Sequence, residues 1–438
     1  MSPFLFALGA TVGMLILLGL GIPVGLSLAL AGFVGLCLIG GTAMGLAQLQ
    51  SLPYNLANDY AFAVIPAFVF MGNLAMNSGM ARDLYRAADR WVGHLPGGMF
   101  LSTIGGSTVF GAASGSTLVN ATVFTKLALP EMLGLGYSKK MSSACIASVG
   151  TLAAMIPPSI AMVVYGIVTE QSVGKLMIAG IVPGLLSAVG YCLLVVGMVR
   201  FKPELAPLRT MSAGWRERFA SLTGTWEIVL LFSLVIGGIY FGFFSPSASG
   251  AAGAMCAMLI LALRRRLTWS MLWESLRNSA ITTAMLFVII IGGLMFSRML
   301  VMSGAIATVV DWISASGMNR VTLIVVLCLM YILLGCITDA ISMLVVTLPF
   351  VFPIIQKAGM DPIWFGIICV QLLEIGAITP PVGMTLYATV SASNGLVKME
   401  EIIEGIWPFV LLNFAILAVL VSFPELVLWL PSMMEMKP

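Results

Sequence analysis

The sequence predicts an all-α, polytopic membrane protein built as an inverted-topology repeat, with two re-entrant helical hairpins and two broken helices. Three observations carry this. Hydrophobic residues make up 60% of the 438 and charged residues only 9%, with a mean hydropathy of +1.07. A soluble chain needs roughly a quarter of its residues charged to cover its surface, so most of this surface must face lipid. The few charges also cluster, leaving long uncharged stretches between them. Finally, "MIPPSIAMVVYGI" (155–167) and "ITPPVGMTLYATV" (378–390) each place two prolines inside an apolar run, where proline breaks a helix.

A spanning helix needs about 20 mainly apolar residues. No charge occurs at 2–58, 60–81, 95–125, 141–169, 176–199, 228–263, 281–297, 321–338, 340–356, 375–397 or 405–424. The first stretch runs on into a second span without a small-residue cleavage site, so no signal peptide is expected. The net charge of +3 says little about partners, and no basic stretch suits nucleic acid. Seven cysteines, all in apolar runs and without a CxxC, and a single histidine, His94, argue against disulfides and a zinc site. The thirty methionines read as lipid-facing and packing residues.

Positive charge near short loops marks the cytoplasmic side. Arg82, Arg86 and Arg90, then Lys139 and Lys140, the Arg200–Arg218 stretch, and Arg264 to Arg266 therefore share one face. Between His94 and Lys139 the chain must leave that side and return within about 40 residues, around "GAASGST" (111–117). A re-entrant hairpin fits, because bare backbone at membrane depth is tolerated only in protein or beside a cavity. Past Arg266 the sense inverts. A second hairpin, 321–357 with tip "GCITDAIS", enters from outside, and both termini are expected to be external. "MARDLYRAADRWVGH" (80–94) and "LTWSMLWESLRNS" (267–279) have the amphipathic pattern of helices lying in the interface.

The two proline stretches belong to a repeat. "LPEMLGLGY" (129–137) matches "FPIIQKAGM" (352–360), Met162 and Tyr165 match Met384 and Tyr387, and "AGIVPGLL" (179–186) matches "EGIWPFVLL" (404–412). Upstream, "ADRWV" (88–92) matches "VDWI" (310–313). One half enters its hairpin from inside and the other from outside, the architecture of carriers that bind substrate near the midplane on broken helices. The expected organisation is a scaffold with an interfacial arm (1–94), transport half 1 (95–175), central scaffold (176–320, cytoplasmic loop 200–225), transport half 2 (321–398) and a C-terminal scaffold helix (399–438).

Each half then offers a hairpin tip followed by a helix broken at "GTLAAMIPPS" (150–159) or "GAITPPVG" (376–383). Freed carbonyls and Ser/Thr hydroxyls make a hard oxygen cage suited to Na⁺. Freed N–H groups at a positive dipole end suit a carboxylate. Ser114, Ser116, Thr117, Gly150 and Thr151 are expected to form one cation site, and Gly335, Thr338, Asp339, Ser342, Gly376 and Thr379 the other. Pro157, Pro158 and Ser159, with Pro380, Pro381 and Val382, are the matching substrate-facing breaks. The plainer reading is a pair of proline kinks satisfied by neighbouring helices. Asp339, Glu374 and Arg298 are charges at membrane depth. Glu374 either binds Na⁺ or a proton or holds the tip, and Arg298 either faces a substrate carboxylate or snorkels to the interface.

The chain resembles the large membrane subunit of tripartite ATP-independent periplasmic (TRAP) transporters. The resemblance spans nearly the whole chain. It is carried by "GNLAMNSGMARDLYRAADRWVGHLPGG", "GAASGSTLVNATVF", "LPEMLGLGYS", "IPPSIAMVVYGIVTEQSVGKLMIAGIVPGLL" and "ITPPVGMTLYATVSA". It implies an inner-membrane, Na⁺-driven uptake carrier with about two Na⁺ sites and an elevator-type motion. It also implies two partners, a small four-helix membrane subunit and a soluble periplasmic protein that delivers an organic acid such as a C4-dicarboxylate or a sialic acid. Related symporters carry Ser-Asn-Thr at the tips, whereas here they read "SGST" and "TDAIS". No four-helix unit is fused in this sequence, so the small subunit is expected as a separate chain.

Other classes fit less well. A stand-alone Na⁺/dicarboxylate symporter would share the repeat but need no binding protein. A channel would need a polar stripe through several helices, and an enzyme a nucleophile–base pair; neither pattern is present. Nucleotide-driven transport would need GxxxxGK[ST], which does not occur.

Overall fold

A computed structural model describes residues 3–207, 213–315, 318–336 and 338–435. The chain opens with α1 (Pro3–Gly19) and α2 (Val24–Asn58), joined by a turn in which Gly21 takes φ +83°. Non-helical dihedrals at Gly40 and Gly41 bend α2. Then come α3 (Val64–Asn77) and α4 (Met80–Val92). Helix α4 is amphipathic as expected: Met80, Ala81, Leu84, Tyr85 and Ala87 are buried, while Arg82, Arg86 and Arg90 face outward.

The first hairpin is α5 (Gly98–Ser114) and α6 (Thr117–Gly134), and the first broken helix is α7 (Lys139–Gly150), α8 (Leu152–Met155) and α9 (Ile160–Val168), bent by 42°. Helix α10 (Val173–Phe201) leads to α11 (Trp215–Leu222), α12 (Trp226–Phe232), a π-helical stretch, α13 (Gly238–Tyr240) and α14 (Pro246–Leu263). Past α15 (Trp269–Met302) and α16 (Ala305–Ala315) lies the second hairpin, α17 (Arg320–Gly335) and α18 (Ala340–Lys357). The second broken helix is α19 (Pro362–Ile378) and α20 (Met384–Ala392), followed by α21 (Met399–Ser422) and α22 (Glu425–Glu435). Among the described residues seven helices are long and apolar enough to cross a membrane, nine if each of two bent pairs counts as one span.

The two halves repeat each other in detail. Both hairpins are followed by a glycine at positive φ, Gly136 (+80°) and Gly359 (+65°), and both Pro157–Pro158 and Pro380–Pro381 bonds are cis. The halves interlock rather than sit side by side. Helix α9 of the first broken helix packs on α18 of the second hairpin, and α20 packs on α6 of the first.

One feature was not read from the sequence. The amphipathic stretch 267–279 does not end as a helix of its own. It is the start of the 34-residue helix α15, about 50 Å long at 1.5 Å per residue. No proline interrupts it and its first glycine is Gly292, so nothing stops the helix where amphipathic character gives way to apolar. Helices α10 and α21 pack against each other and against the broken helices.

The α2–α15 pair is held by backbone contact. A Cβ on Gly32 would lie 2.7 Å from the Phe296 nitrogen, and one on Gly292 would lie 2.1 Å from the Gly25 carbonyl oxygen. In lipid no hydrophobic force drives helices together, so small residues that admit close approach do the packing.

At the end carrying the basic clusters, Glu227 is buried and ion-paired with Arg264. Arg264 also lies 3.8 Å from Asp83, and Arg266 lies 3.1 Å from Asp83 while donating to the Ser78 carbonyl at 3.2 Å. The network ties α4 and α12 to the chain after α14. Arg264→Met would leave the buried Glu227 carboxylate uncompensated, and we expect it to destabilise the protein by about 3–5 kcal/mol. The double change with Glu227→Gln should recover most of that loss in a detergent thermal-unfolding assay. Equal losses in the single and double variants would refute the pairing.

Candidate functional site

Both hairpin tips converge on one place. The first tip turns at Gly115, whose φ of +60° suits glycine. A Cβ there would lie 2.6 Å from the Pro158 carbonyl oxygen, and the Ile160 N–H donates to the Gly115 carbonyl at 3.4 Å. The tip is therefore seated directly on the proline break, and one N–H freed by that break is already used. The second tip contains Thr338 and Asp339; Ile337 lies outside the described residues. Asp339 caps α18 by accepting the Ser342 N–H at 3.0 Å, and Thr338 donates to the Leu334 carbonyl at 2.9 Å.

Between the tips is a cavity of about 120 Å³, room for several water molecules. Gly115, Ser116 and Thr117 line one side, Gly335, Thr338 and Asp339 the other, and Ala154, Ile160, Leu373, Ala377 and Met384 from the two broken helices close it. Ser116 and Asp339 are equivalent in the repeat, each preceding the second leg of its hairpin. Five residues assigned by sequence to two separate cation sites thus surround one cavity.

The other assigned cation ligands stand behind the tips. Ser114 and Ser342 are buried, and among the described residues neither hydroxyl oxygen has a hydrogen-bond partner. Thr151 is buried and donates to the Ser148 carbonyl at 2.7 Å, and Thr379 donates to the Ile375 carbonyl at 2.5 Å. Gly150 and Gly376 mark close approaches. A Cβ on Gly150 would lie 2.7 Å from the Ala121 Cβ, and one on Gly376 would lie 2.7 Å from the Gly335 Cα. The first half shows the counterpart of the latter contact, with Gly111 against Ala153 at 3.1 Å.

Of the residues assigned to substrate, Pro157, Pro158, Ser159, Pro380, Pro381 and Val382 form the breaks but do not line the tip cavity. Ser159 is occupied as a cap, accepting the Met162 N–H at 3.4 Å, and the freed Ala377 carbonyl accepts from Thr385 at 2.7 Å. Arg298 is elsewhere. It pairs with Gln48 and lines a separate cavity with Asn55, Asp59 and Glu170.

Sequence reasoning missed Asn120. It is fully buried, donates to the Ser107 carbonyl at 3.2 Å and to the Gly150 carbonyl at 3.4 Å, and keeps an unpartnered Oδ1. It bridges the first hairpin to the first broken helix. The available signal was an amide one turn past a Ser/Thr tip, on the second leg of the hairpin. With Ser114, it places two unpartnered buried oxygens behind the first tip, a donor set suited to a hard cation.

The profile of the family described as "Tripartite ATP-independent periplasmic transporter, DctM component" matches residues 11–426. The chain belongs to this family. It is the large membrane subunit of a TRAP transporter, a multi-pass inner-membrane permease and not an enzyme. It is 32% identical over 384 residues to the C4-dicarboxylate TRAP transporter large permease protein DctM of Pseudomonas aeruginosa, covering 87% of this chain and 89% of that one. It is 29% identical to the isethionate TRAP transporter permease protein DctMQ of Oleidesulfovibrio alaskensis, where the match covers 93% of this chain but 63% of the relative. In fold it is similar to the YdaH transporter of Alcanivorax borkumensis, with a TM-score of 0.59 at 14% identity over 87% of this chain and 89% of that one.

Proposed function

We propose that this TRAP large subunit is a Na⁺-coupled secondary carrier that takes up a small organic acid. The observation that carries the reading is the meeting of two hairpin tips, one from each inverted half, at a single cavity with unpartnered buried oxygens behind each tip. Ser114 and Asn120 would hold a cation behind the first tip, and Ser342 with Asp339 one behind the second. Na⁺ would supply positive charge beside the cavity.

Coupling follows from electrostatics. Asp339 lines the cavity, and a carboxylate beside it repels an anionic substrate. A cation bound at that tip offsets the repulsion, so ion and substrate favour each other. The N-terminal ends of α6 and α18 begin at the cavity and present N–H groups that suit a carboxylate. C4-dicarboxylate and isethionate, the cargoes named for two relatives, are both small organic anions, and a C4-dicarboxylate, a sialic acid or a similar carboxylate fits this reading.

The hairpins and broken helices, interlocked by the α9–α18 and α20–α6 contacts, would move as one elevator body against the glycine-packed α2–α15 scaffold. A small four-helix membrane subunit and a periplasmic binding protein complete the carrier. The test is uptake of labelled organic acids into proteoliposomes holding this chain and its small partner, with and without a Na⁺ gradient and the binding protein. Uptake that needs both supports the reading. Uptake needing Na⁺ alone makes the chain a stand-alone symporter, and uptake indifferent to both overturns the coupling.

A further inference from the structure

Helix α11, in the stretch read from sequence as the cytoplasmic loop 200–225, has no buried residue. It lies antiparallel along α4. Arg90 donates to the Glu217 carbonyl at 3.5 Å and Trp91 to the Arg218 carbonyl at 3.1 Å, while a Cβ on Gly224 would lie 3.5 Å from the Asp83 Cβ. Trp91 meets Trp215 and Phe219 edge-on. Even so, Trp215, Phe219 and Leu222 stay exposed, at the i, i+4, i+7 spacing of one helix face.

That apolar stripe runs into surface that faces lipid. Helix α11 bends by 46° into the apolar segment that starts with α12, where Trp226, Val229 and Leu230 are exposed in turn. A stripe joined in this way to the end of a span lies at headgroup depth, where tryptophan is favoured and amphipathic helices bury their apolar face. The start of α15 repeats the pattern, with Trp269, Trp273 and Leu276 exposed at the same spacing.

Unpaired arginines rim the stripe. Arg82, Arg86, Arg216 and Arg265 are exposed and make no hydrogen bond or ion pair among the described residues. Arg265 is the middle of the triplet that ends α14, and Arg264 donates to the Thr223 carbonyl at 3.2 Å, which places the triplet at the end of α11. Arg265 takes φ +55°, a position after a helix end where glycine is usual, yet the sequence keeps a positive charge there. The nearby acids Asp83 and Glu227 are already neutralised by Arg264 and Arg266. The surface around α4 and α11 is therefore positive.

We propose that α11, α4 and the Arg264–Arg266 turn form a docking surface for anionic phospholipid of the cytoplasmic leaflet. Trp215, Phe219 and Leu222 enter the acyl boundary, and Arg86, Arg216 and Arg265 take headgroup phosphates. Continuity with the lipid-facing side of α12 and the positive rim select a lipid over a protein as the occupant. The surface holds the foot of α4 and α12 at a fixed depth. It goes beyond the carrier reading and does not rest on it.

Tryptophan quenching tests this on the full chain in phosphatidylcholine nanodiscs. The discs carry a small, equal fraction of brominated lipid, either phosphatidylglycerol or phosphatidylcholine. Bromine on the acyl chain quenches tryptophan on contact, and the share lost in Trp215→Phe belongs to Trp215. That share should be about fivefold larger with the anionic lipid, the enrichment that one arginine near an anionic surface supplies. It should fall to parity in the triple variant Arg86→Gln, Arg216→Gln, Arg265→Gln. Wild type in about 1 M salt, where the screening length is about 3 Å, should do the same and needs no variant to fold. Equal quenching by both lipids overturns the headgroup site. Selectivity that survives the triple variant removes the arginines from it and overturns it equally. No quenching of Trp215 by either lipid takes the stripe out of the leaflet, makes it a surface for a protein partner and overturns the proposal.

Discussion

Gly376→Val is expected to abolish uptake while leaving the scaffold folded. A Cβ at this position would lie 2.7 Å from the Gly335 Cα and 2.9 Å from the Gly335 carbonyl carbon. Both are backbone atoms with no rotamer to yield. The added bulk must push the first leg of the second hairpin off the broken helix, displacing the tip that carries Thr338 and Asp339. Overpacking of this kind costs about 1–3 kcal/mol, and under the proposed function the tips must hold their positions for ions and substrate to bind. The expected readings are a lowered thermal midpoint in detergent and uptake below about a tenth of wild type, equivalent to ~1.4 kcal/mol or more in binding or barrier. Gly376→Ala should fall between, since its single Cβ meets the same atoms. The scaffold should survive because its own close contacts, at Gly25, Gly32 and Gly292, lie on α2 and α15. Wild-type uptake by Gly376→Val would show that the contact does not position the tip.

Asp339→Asn should separate the helix cap from the proposed cation-binding role of that residue. As a cap, Asp339 accepts the Ser342 N–H, and asparagine caps about equally well. Stability is therefore expected to stay within ~0.5 kcal/mol of wild type. As a cation ligand it loses its charge, and we expect the Na⁺ concentration for half-maximal uptake to rise by about tenfold to a hundredfold, or ~1.4–2.8 kcal/mol. Asp339→Ala should lose the cap as well, adding ~1 kcal/mol of destabilisation. An unchanged Na⁺ dependence in Asp339→Asn, with normal stability, would remove Asp339 from the proposed ion site. Because Asp339 and Ser116 are equivalent in the repeat, Ser116 offers the neutral counterpart of the same position.

Much of the arrangement was legible in the sequence because membrane helices announce their ends locally. Proline pairs at 157–158 and 380–381 broke α7–α9 and α19–α20 where expected, since a missing N–H and a ring clash act within one turn. The Gly/Ser/Thr tip at 111–117 and the tip at 335–342 turned two hairpins for the same local reason. The repeated spacing of these signals then supplied the inverted halves.

What depends on which surfaces meet was not legible. Ser116 and Asp339 sit far apart in sequence, and nothing in either neighbourhood states that they face one cavity. Arg298 carried the same signal as Asp339, a charge in an apolar run, yet the fold turns it toward Gln48. Glu374 was visible as a buried acid, but its lack of a partner is a property of α10, α21 and the first break closing around it. The sequence alone determined the helices, their breaks and the twofold plan, because backbone hydrogen bonding and transfer to lipid are settled residue by residue. Only the tertiary structure decided that the half-helices cross between halves and that the two tips share a cavity. Those outcomes rest on packing between surfaces remote along the chain, where shape complementarity, not local composition, selects the partner.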